Sequence, residues 1–385
     1  MRKVVVTGSK GLIGWHAAAR LHAANCGARF RGDAVPWTLV EAGRAEFDDD
    51  AILEAAVGDA DIVLHFAGVN RATGTMTDAD IESGNPALAE RLATTLDKTG
   101  SKATVVYANS THSASDTPYG RGKKKAADIL ATQAQRSGAA FIDMVLPHIF
   151  GEQGKPFYNN VTGTLCRQII DGETSDINPE GRVELVHAGA AAQAAIDHAL
   201  TAKSAHVVLA GEKIGIADLF EKLQGFHESY TAFIYPDALR NPFDLALFNT
   251  YRQHLYPDFF PHKVTVHSDP RGRLFEAAKG GGGGQSFISW TGPGVTRGEH
   301  FHLHKVERFL VVEGRARIAM RKVLTDDTHV FEVDGKDPAW VDMPTLWTHN
   351  ITNIGDKPLV TLFWTHDIFD PSAPDTYADK VGEAA

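Results

Sequence analysis

The sequence predicts two folded regions in tandem, an α/β region built on a doubly wound parallel sheet and then an all-β region. Three observations lead to this prediction. The first half of the chain alternates short apolar runs with helical patterns, a glycine-rich turn follows the first apolar run, and short alternating strands between Gly, Pro and Asp turns dominate beyond residue 263. Strand–helix alternation is typical of a parallel sheet covered on both faces. Closely spaced short strands are typical of a barrel or sandwich.

The elements and boundaries follow from the same patterns. Buried strands are predicted at residues 4–7, 60–66, 103–108 and 141–146, and helices at residues 12–24, 48–57, 85–96 and 122–137. Residues 27–36 (GARFRGDAVP) read as extra sequence before a further strand at 37–41. The glycine run 280–284 is predicted to be a mobile hairpin loop. We place the α/β region at residues 1–242, a connecting segment at 243–262 and the β region at 263–385.

Composition excludes several classes of function. The chain has 385 residues, enough for two cores, and a formal net charge of −10 with no long run of Lys and Arg. This argues against nucleic-acid binding, because proteins that bind the phosphate backbone carry basic patches. Two distant cysteines, outside any CxxC pattern, predict a reducing compartment. No signal peptide or membrane-spanning stretch is recognisable, so we expect a cytoplasmic protein without a membrane partner.

A nucleotide site is predicted at the first strand–helix junction. Gly8, Gly11 and Gly14 form the segment GSKGLIG directly after the first strand and at the head of the first helix. Glycines let such a turn close and let the backbone approach a pyrophosphate, which then meets the positive N-terminus of the helix. A glycine fingerprint alone is a weak signal, but the strand–turn–helix context here is the required one.

A second cluster indicates proton transfer. Tyr119 and Lys123, in the segment YGRGK, share one face of a predicted helix because they are four residues apart. A lysine ammonium beside a phenol lowers the pKa of the phenol, which can then exchange a proton with a carbonyl or alcohol oxygen. The strand at 103–108 leads into Ser110, whose hydroxyl can hold that same oxygen.

Together these residues resemble the extended short-chain dehydrogenases/reductases, which have a Rossmann-type sheet, over residues 1–240. The resemblance includes residues 65–71 (HFAGVNR), like the family's turn beside the cofactor, and residues 146–151 (LPHIFG), like its loop that meets nicotinamide and sugar. It implies Ser110, Tyr119 and Lys123 as the catalytic triad. The cofactor-binding residues that it implies are Gly8, Gly11, Leu12, Ile13, Gly14, Arg44, Ala67, Gly68, Tyr119, Lys123, Pro147 and Ile149.

Two departures from that family bear on the chemistry. No acidic residue sits cleanly where a ribose 2′-hydroxyl would be bound, and Arg44 follows the strand instead. Arg44 suits the 2′-phosphate of NADP, with a plain surface arginine as the alternative interpretation. His112 and Ser113 stand where the family's sugar-nucleotide dehydratases place acidic residues. Simple hydride transfer with NADP(H) therefore fits better than dehydration.

The β region carries a candidate metal site in the segment GEHFHLHKVE. Alternate residues of a strand point to one side, so His300 and His302 can converge on one ion. This stretch and the stretch 344–353 resemble the two motifs of the cupins, which are jelly rolls. The resemblance implies His300, His302, Glu307 and His349 as ligands of a divalent metal, with zinc the usual one. The segment TRGEHF also resembles cupin-fold sugar 3,5-epimerases, whose histidine is the general base. His300 is therefore predicted to be a ligand, a base, or both.

Over nearly its whole length, the chain resembles the CapF and WbjC family of bifunctional capsular-polysaccharide enzymes. The resemblance implies that the β region inverts carbon 3 of a UDP-linked 4-keto-6-deoxy-N-acetylhexosamine, and that the α/β region then reduces the carbon-4 ketone with NADPH. The implied product is UDP-N-acetyl-6-deoxy-L-talosamine, a precursor of UDP-N-acetyl-L-fucosamine. A homodimer is expected, because cupins commonly pair through strands. Two alternatives stay open: a β region that only dimerises or binds a ligand, and a 4-epimerase with tightly held NAD.

Overall fold

The computed structural model describes residues 1–70, 75–173, 177–280 and 283–382. Arg71 of the predicted cofactor turn and residues 281 and 282 of the glycine run lie outside the described residues. Within those described ranges, no helix is both long enough and apolar enough to cross a membrane. The chain forms two compact units, Met1–Thr164 with Ile177–Ala217, and Leu165–Asp176 with Asp218–Ala385.

The elements up to residue 215 begin with strands and helices in alternation. In chain order they are β1 Arg2–Thr7, α1 Leu12–Arg31, β2 Trp37–Ala42, α2 Arg44–Asp48, α3 Asp50–Val57, β3 Ile62–His65, α4 Asp78–Thr99, β4 Thr104–Ser110, a 3₁₀ turn Thr111–Ala114, α5 Pro118–Ser137, β5 Phe141–Leu146, β6 His148–Phe150, α6 Val161–Asp171, β7 Arg182–His187, α7 Ala188–Leu200, β8 Ala205–Val208 and β9 Glu212–Gly215.

Six parallel strands form the main sheet of the first unit, in the order β2-β1-β3-β4-β5-β8. Val4 and Val6 of β1 pack with α1 and α7 on one face, and Val5 packs with α3, α4 and α5 on the other. The predicted doubly wound parallel sheet is confirmed. The strand order reverses at β1, and a crevice for a ligand opens at the carboxyl ends of the strands at such a switch point.

Residues 27–36, predicted to be extra sequence before the strand at 37–41, divide between the end of α1 and a short connection. α1 runs on to Arg31 and ends at Gly32, which has a left-handed φ of 76° and donates its N–H to carbonyls one turn back. The last helical turn is solvent-exposed, with Phe30 83% exposed, so it carries no apolar periodicity from which to predict a helix. Only residues 32–36 connect α1 to the strand predicted at 37–41, which is present as β2.

The remaining elements belong to the second unit apart from the start of the first helix. They are α8 Ile216–Thr231, β10 Ile234–Tyr235, a 3₁₀ turn Asp237–Arg240, α9 Pro242–Leu255, β11 His262–Lys263, β12 His267–Asp269, β13 Gly272–Leu274, β14 Lys279–Gly280, β15 Gln285–Thr291, β16 Thr296–Phe301, β17 Glu307–Glu313, β18 Arg315–Lys322, β19 Thr328–Asp334, β20 Ala339–Met343, β21 Trp347–Asn353, β22 Leu359–Thr365 and β23 Tyr377–Ala378.

Within the second unit, two five-stranded antiparallel sheets form what is called the β domain below. Their strand orders are β11-β20-β17-β22-β15 and β19-β18-β21-β16-β23. The predicted strand-rich region after residue 263 is confirmed. The predicted hairpin at the glycine run is wrong, because β14 pairs with β10 while β15 pairs with β22. The predicted boundaries at residues 242 and 262 both lie inside the second unit, and the assignment of α8 to the reductase region and of α9 to the connecting segment stays a prediction.

A buried ion pair anchors β17 on the side opposite Glu307. Arg308, 1% exposed, donates through Nε to Oδ1 of Asp342 at 2.7 Å, and its guanidinium lies 3.5 Å from the ring centre of Trp340. The Tyr230 hydroxyl donates to Oδ2 of the same carboxylate at 2.6 Å. Successive residues of a strand face opposite sides. This network therefore fixes β17 through Arg308, while the side chain of Glu307 lies on the other face of the strand.

Candidate active site and metal centre

The glycine-rich turn brings the backbone of β1 close to the end of β3. Gly8 has a φ of 67°, and a Cβ built on it would lie 2.7 Å from the backbone nitrogen of Ala67. A Cβ on Gly14 would lie 2.2 Å from the carbonyl oxygen of Gly8. Both positions therefore need glycine for a steric reason, and the turn leads into the N-terminus of α1. Backbone N–H groups at such a helix start can bind a pyrophosphate.

Two residues that the sequence did not single out hold the turn at residues 67–70. Thr7 Oγ1 accepts the N–H of Ala67 at 3.2 Å. The buried amide of Asn85 clamps Val69, accepting its N–H at 3.1 Å and donating to its carbonyl at 2.8 Å. Asn85 lies in the first half of α4, seven residues after the helix begins, and no short motif in the sequence marks it.

The predicted catalytic residues lie at the end of β4 and the start of α5. Tyr119 and Ser110 are hydrogen-bonded; burial raises the pKa of the phenol, and the bond to Ser110 opposes that rise. Lys123 is 4% exposed and donates to the carbonyl of Ala108. Burial lowers the pKa of Lys123 to about 7. In this arrangement the hydroxyl of Ser110 favours the ionised phenol.

These residues open onto one cavity of the first unit, with a volume of about 790 Å³ and so in the size range of small-molecule sites. The predicted residues that line it are Gly8, Gly11, Leu12, Ile13, Gly14, Ala67, Gly68, Ser110, Tyr119, Lys123, Pro147 and Ile149. Arg44 does not line it. Arg44 begins α2 with a side chain 96% exposed and its Nε 3.8 Å from the Asp48 carboxylate.

The charge of the cavity is opposite to that of the chain. Among the described residues that line it there is no Asp and no Glu, whereas the cations and histidines among them are Lys10, Lys123, Lys155, His112 and His148. The chain as a whole carries a net charge of −10. A cavity with this lining is suited to anionic ligands.

The four predicted metal ligands converge in the β domain. His300 is on β16 and pairs with His349 on the neighbouring β21, and Glu307 begins β17. Glu307 Oε2 lies 3.2 Å from Nε2 of His302 and 3.2 Å from Nε2 of His349. One ligand atom from each of the four residues lies within 4.8 Å of the others. The predicted set is therefore brought together by three strands.

A β-bulge places His300 in this cluster. The register of β16 against β21 shifts between Gly298 and His300. Gly298 has a φ of 97°, and Glu299 has a φ of 60°. The Glu299 carboxylate accepts from Asn350 at 2.9 Å and from the backbone of Val381 at 2.8 Å. Bulges re-aim side chains beside active sites, and this one turns His300 toward the other histidines.

Hydrogen bonds define the protonation of the histidine rings. His302 Nδ1 faces the carbonyl of Asp375 at 2.5 Å, and His349 Nδ1 faces the carbonyl of Trp347 at 3.1 Å. His300 donates to the carbonyl of Gly298. A carbonyl only accepts, so each facing nitrogen carries the proton and the other nitrogen of a neutral ring has a free lone pair. Three lone pairs and one carboxylate thus face each other, and a divalent cation satisfies all four groups.

His300 differs from the other three residues in exposure. It is partly exposed, whereas His302, Glu307 and His349 are 2%, 6% and 0% exposed. Burial, followed by the neighbouring rings of His349 and His302, lowers the pKa of His300 to about 3. The one partly exposed ring of the cluster is therefore neutral.

Asp375 is the residue of this site that sequence patterns missed. Besides its carbonyl contact to His302, its carboxylate accepts the backbone N–H groups of Leu303 at 2.9 Å, His304 at 2.9 Å and Lys305 at 2.8 Å. These bonds fix the loop between β16 and β17, and hence the distance between His302 and Glu307. The separation of more than 70 residues in sequence left no local signal.

Two family models match the chain. Residues 4–211 match the NAD dependent epimerase/dehydratase family, and residues 267–377 match the polysaccharide biosynthesis C-terminal domain. The glycine turn and the Ser–Tyr–Lys constellation on a parallel sheet define a nicotinamide-dependent enzyme of the short-chain dehydrogenase/reductase class. The first match covers more than half of the chain, and the chain belongs to the NAD-dependent epimerase/dehydratase family.

Individual relatives narrow the comparison. A protein of Pseudomonas aeruginosa named UDP-2-acetamido-2,6-beta-L-arabino-hexul-4-ose reductase is 31% identical over 387 residues, covering 100% of both chains. The crystal structure of the capsular polysaccharide assembling protein CapF from Staphylococcus aureus is 27% identical with a TM-score of 0.58, covering 98% of this chain and 100% of that one. The predicted resemblance to the CapF family is confirmed. A UDP-N-acetylglucosamine 4-epimerase from Methanobrevibacter ruminantium, at 18% identity and a TM-score of 0.52 over 66% of this chain and 98% of that one, shares the fold.

Proposed function

We propose that the chain is a bifunctional sugar-nucleotide enzyme, which epimerises carbon 3 of a UDP-linked 4-keto-6-deoxy-N-acetylhexosamine and then reduces its carbon-4 ketone with NADPH. The observation that carries this proposal is the presence of two sites of opposite character in one chain. One is a cation-lined cavity with a proton-transfer triad, and the other is a cluster of lone pairs around a carboxylate. The full-length relative named as a reductase of a UDP-linked 4-ulose supports the reduction step.

The order of the two steps follows from the chemistry of the ketone. A carbonyl at carbon 4 acidifies the proton on carbon 3, because the carbanion is stabilised as an enolate. Epimerisation must therefore precede reduction, which removes the carbonyl. The proposed product is UDP-N-acetyl-6-deoxy-L-talosamine, on the way to UDP-N-acetyl-L-fucosamine for capsule or O-antigen synthesis.

In the reduction step the protein supplies a proton and holds the oxygen. Bound NADPH supplies a hydride to carbon 4. Tyr119 donates its phenolic proton to the oxygen that becomes the hydroxyl, and Ser110, hydrogen-bonded to the same phenol, aligns that oxygen. Lys123, buried behind them, supplies positive charge that stabilises the phenolate left after transfer.

In the epimerisation step His300 removes the proton from carbon 3. The supporting observation is that His300 alone of the four residues is partly exposed. His302, Glu307 and His349 would hold a divalent metal, zinc, with His300 as the predicted fourth ligand in the resting site. The metal, when bound, would polarise the ketone oxygen as a Lewis acid. Return of a proton to the opposite face of the enolate completes the inversion.

We propose NADP rather than NAD as the cofactor. Arg44 stands just beyond β2, where a 2′-phosphate is bound in this fold. Lys10 reaches the same place, since its Cδ and Cε lie 3.6 Å from the position of a Cβ on the neighbouring Gly43, where an oxygen of the Glu46 carboxylate is nearer, at 2.9 Å. Lys10 and Arg44 would be the donors for that phosphate, beside the carboxylate of Glu46. The cupin identity of the β domain, a homodimeric assembly and a cytoplasmic location remain predictions.

The experiment that tests the bifunctional proposal uses the UDP-linked 4-keto sugar in heavy water with no nicotinamide present. We expect deuterium at carbon 3, followed by NMR, and we expect His300→Ala to abolish it while Tyr119→Phe leaves it unchanged. If the wild-type protein incorporates no deuterium, the epimerase half of the proposal fails. In that case a reductase with a non-catalytic β domain is the function that remains.

A further inference from the structure

The segment that follows β6 forms one wall of the cavity and contains a lysine to which no role has yet been assigned. Gln153, Gly154 and Lys155 all line the cavity. Gln153 reaches across it, donating through Nε2 to the carbonyl of Lys10 in the glycine turn at 3.1 Å. A Cβ on Gly154 would lie 2.3 Å from Nδ2 of Asn160, so the segment is tightly folded. Its conformation is thus tied to the cofactor turn at one end.

A buried glutamate ties the same segment to two helices. Glu152, 2% exposed, accepts from Nε2 of His187 at 2.8 Å, and its carbonyl accepts from Nε2 of His16 at 3.1 Å. His16 is on α1, and His187 caps the start of α7 by accepting the N–H of Gly189 on Nδ1 at 3.2 Å. Lys155, an exposed residue, follows this anchored part of the segment by three residues.

The hydrogen bonds of this cluster make it a structural clamp and not a metal site. His187 Nδ1 accepts from a backbone N–H, so its proton is on Nε2, the atom that faces Glu152. His16 Nε2 faces a carbonyl and likewise carries a proton. Neither nitrogen has a lone pair to offer a cation. The role of Glu152 is to position the segment.

Lys155 is the uncommitted cation of the cavity. Within the described parts of the chain its ammonium has no hydrogen-bond or ion-pair partner. Lys123 is bonded to a backbone carbonyl, and Lys10 approaches Gly43 at the end of β2. The pyrophosphate of the cofactor is served by the N-terminus of α1. A second anion in the cavity would therefore meet Lys155, and no carboxylate competes for it among the lining residues that the structure describes.

We propose that Lys155 binds the diphosphate of the nucleotide sugar and so positions the ketone at Tyr119. This inference rests on the proposed function, because it takes the substrate to be a UDP-linked sugar. A charge-assisted bond to a phosphate oxygen is among the stronger polar contacts in proteins. Lys155 thereby distinguishes substrates that carry a diphosphate from free sugars, a selection that the catalytic triad does not make.

The experiment measures binding of UDP, UMP and NADPH to the full chain by calorimetry, without turnover. Lys155→Ala is expected to lower the affinity for UDP by about 10- to 100-fold. The affinity for UMP is expected to fall by less, and the affinity for NADPH to change by under about twofold. Lys155→Arg, which keeps the charge, is expected to retain most of the UDP affinity. Lys203→Ala removes an exposed lysine of the same unit and serves as the matched control.

The possible results separate the two proposals. If the wild-type chain binds UDP and Lys155→Ala binds it equally well, Lys155 has no role in the substrate site and the inference is overturned. Loss of NADPH affinity instead of UDP affinity would assign Lys155 to the cofactor, which also overturns it. If the wild-type chain binds neither UDP nor the 4-keto sugar nucleotide, the proposed function itself fails.

Discussion

The two candidate sites differ in what each of them lacks. The cavity of the first unit has lysines and histidines, and no carboxylate, among its described lining residues, so this lining lacks anions. The cluster of the β domain has the Nε2 atoms of His302 and His349 turned toward Glu307, with His300 beside them, so it lacks a cation. The first unit supplies its own buried positive charge in Lys123, and the second must take one from solution. The chemistry expected of each site follows from this difference.

The two histidine–glutamate clusters also differ in which ring nitrogen of the histidine carries the proton. His187 in the first unit and His349 in the second both face a glutamate through Nε2, at 2.8 Å and 3.2 Å. The group bonded to Nδ1 determines whether Nε2, which faces the glutamate, carries a proton or a lone pair. In His187, Nδ1 accepts a backbone N–H, so Nε2 carries the proton and is a donor. In His349, Nδ1 faces a carbonyl, so Nε2 of the neutral ring has a free lone pair. Residue types alone do not distinguish a clamp from a metal site.

The largest expected effect comes from replacing the two glutamates in parallel. Glu307→Gln removes the anionic ligand, and we expect the metal content of the purified protein to fall to less than about one-tenth of the wild-type value, with loss of carbon-3 exchange. Glu152→Gln is the matched variant and is expected to leave the metal content unchanged. Elemental analysis of both proteins checks this. Equal metal loss in the two variants would show that the distinction drawn from hydrogen bonding is wrong.

The second prediction separates the sites by activity. Tyr119→Phe removes the proton donor of the cavity, and we expect kcat for NADPH-dependent reduction to fall by about 10²- to 10⁴-fold. Carbon-3 exchange in heavy water is expected to be unaffected, so it reports that the variant is folded. Stopped-flow absorbance of NADPH and NMR of the sugar provide the two readouts. Loss of both activities in this variant would mean that the sites do not act independently.

The third prediction concerns the cost of burying Lys123. Burial lowers its pKa from 10.5 to about 7, so between these values the unfolded chain binds a proton that the folded chain does not. Stability therefore rises with pH across this window. Lys123→Met is expected to be more stable than wild type at pH 7 by about 2–4 kcal/mol, and by less at pH 9.5. The gain in stability would accompany a loss of reductase activity.

Urea unfolding at the two pH values checks this prediction. The matched control is Lys102→Met, because Lys102 is an exposed lysine of the same unit and is expected to show no such pH-dependent difference. An unchanged or lowered unfolding midpoint for Lys123→Met at pH 7 would contradict the idea that the first unit keeps a costly buried cation for its chemistry.

Sequence patterns predicted what is local and missed what is assembled from distant segments. The glycine turn, YGRGK and GEHFH are contiguous, and their strand and helix periodicities place them correctly at the cavity and the cluster. His16, Glu152 and His187 meet from three separate elements, and Asp375 reaches back to His302; no short spacing encodes these contacts. The end of α1 was missed for another reason, since its exposed last turn has no apolar face.

Arg44 is the predicted residue that stands furthest from its expected role, and it gives the smallest expected effect. Its side chain is 96% exposed and lies outside the cavity lining, so solvent screens any contact with a 2′-phosphate to about 1 kcal/mol or less. Arg44→Ala is accordingly expected to raise KM for NADPH by about 3- to 5-fold and to leave KM for NADH within about twofold. Arg31→Ala, which removes an exposed arginine at the end of α1, is the control.

Lys10→Ala extends the same measurement to the cavity wall. Lys10 lines the cavity and Arg44 does not, so replacing Lys10 is expected to lower the affinity for the 2′-phosphate more than replacing Arg44 does. Steady-state kinetics with both cofactors gives the ratio of KM values for each variant. Equal weakening of NADPH and NADH by Arg44→Ala would remove its phosphate role. If Lys10→Ala alone changes the ratio, the cofactor preference belongs to the anion-binding cavity rather than to the exposed start of α2.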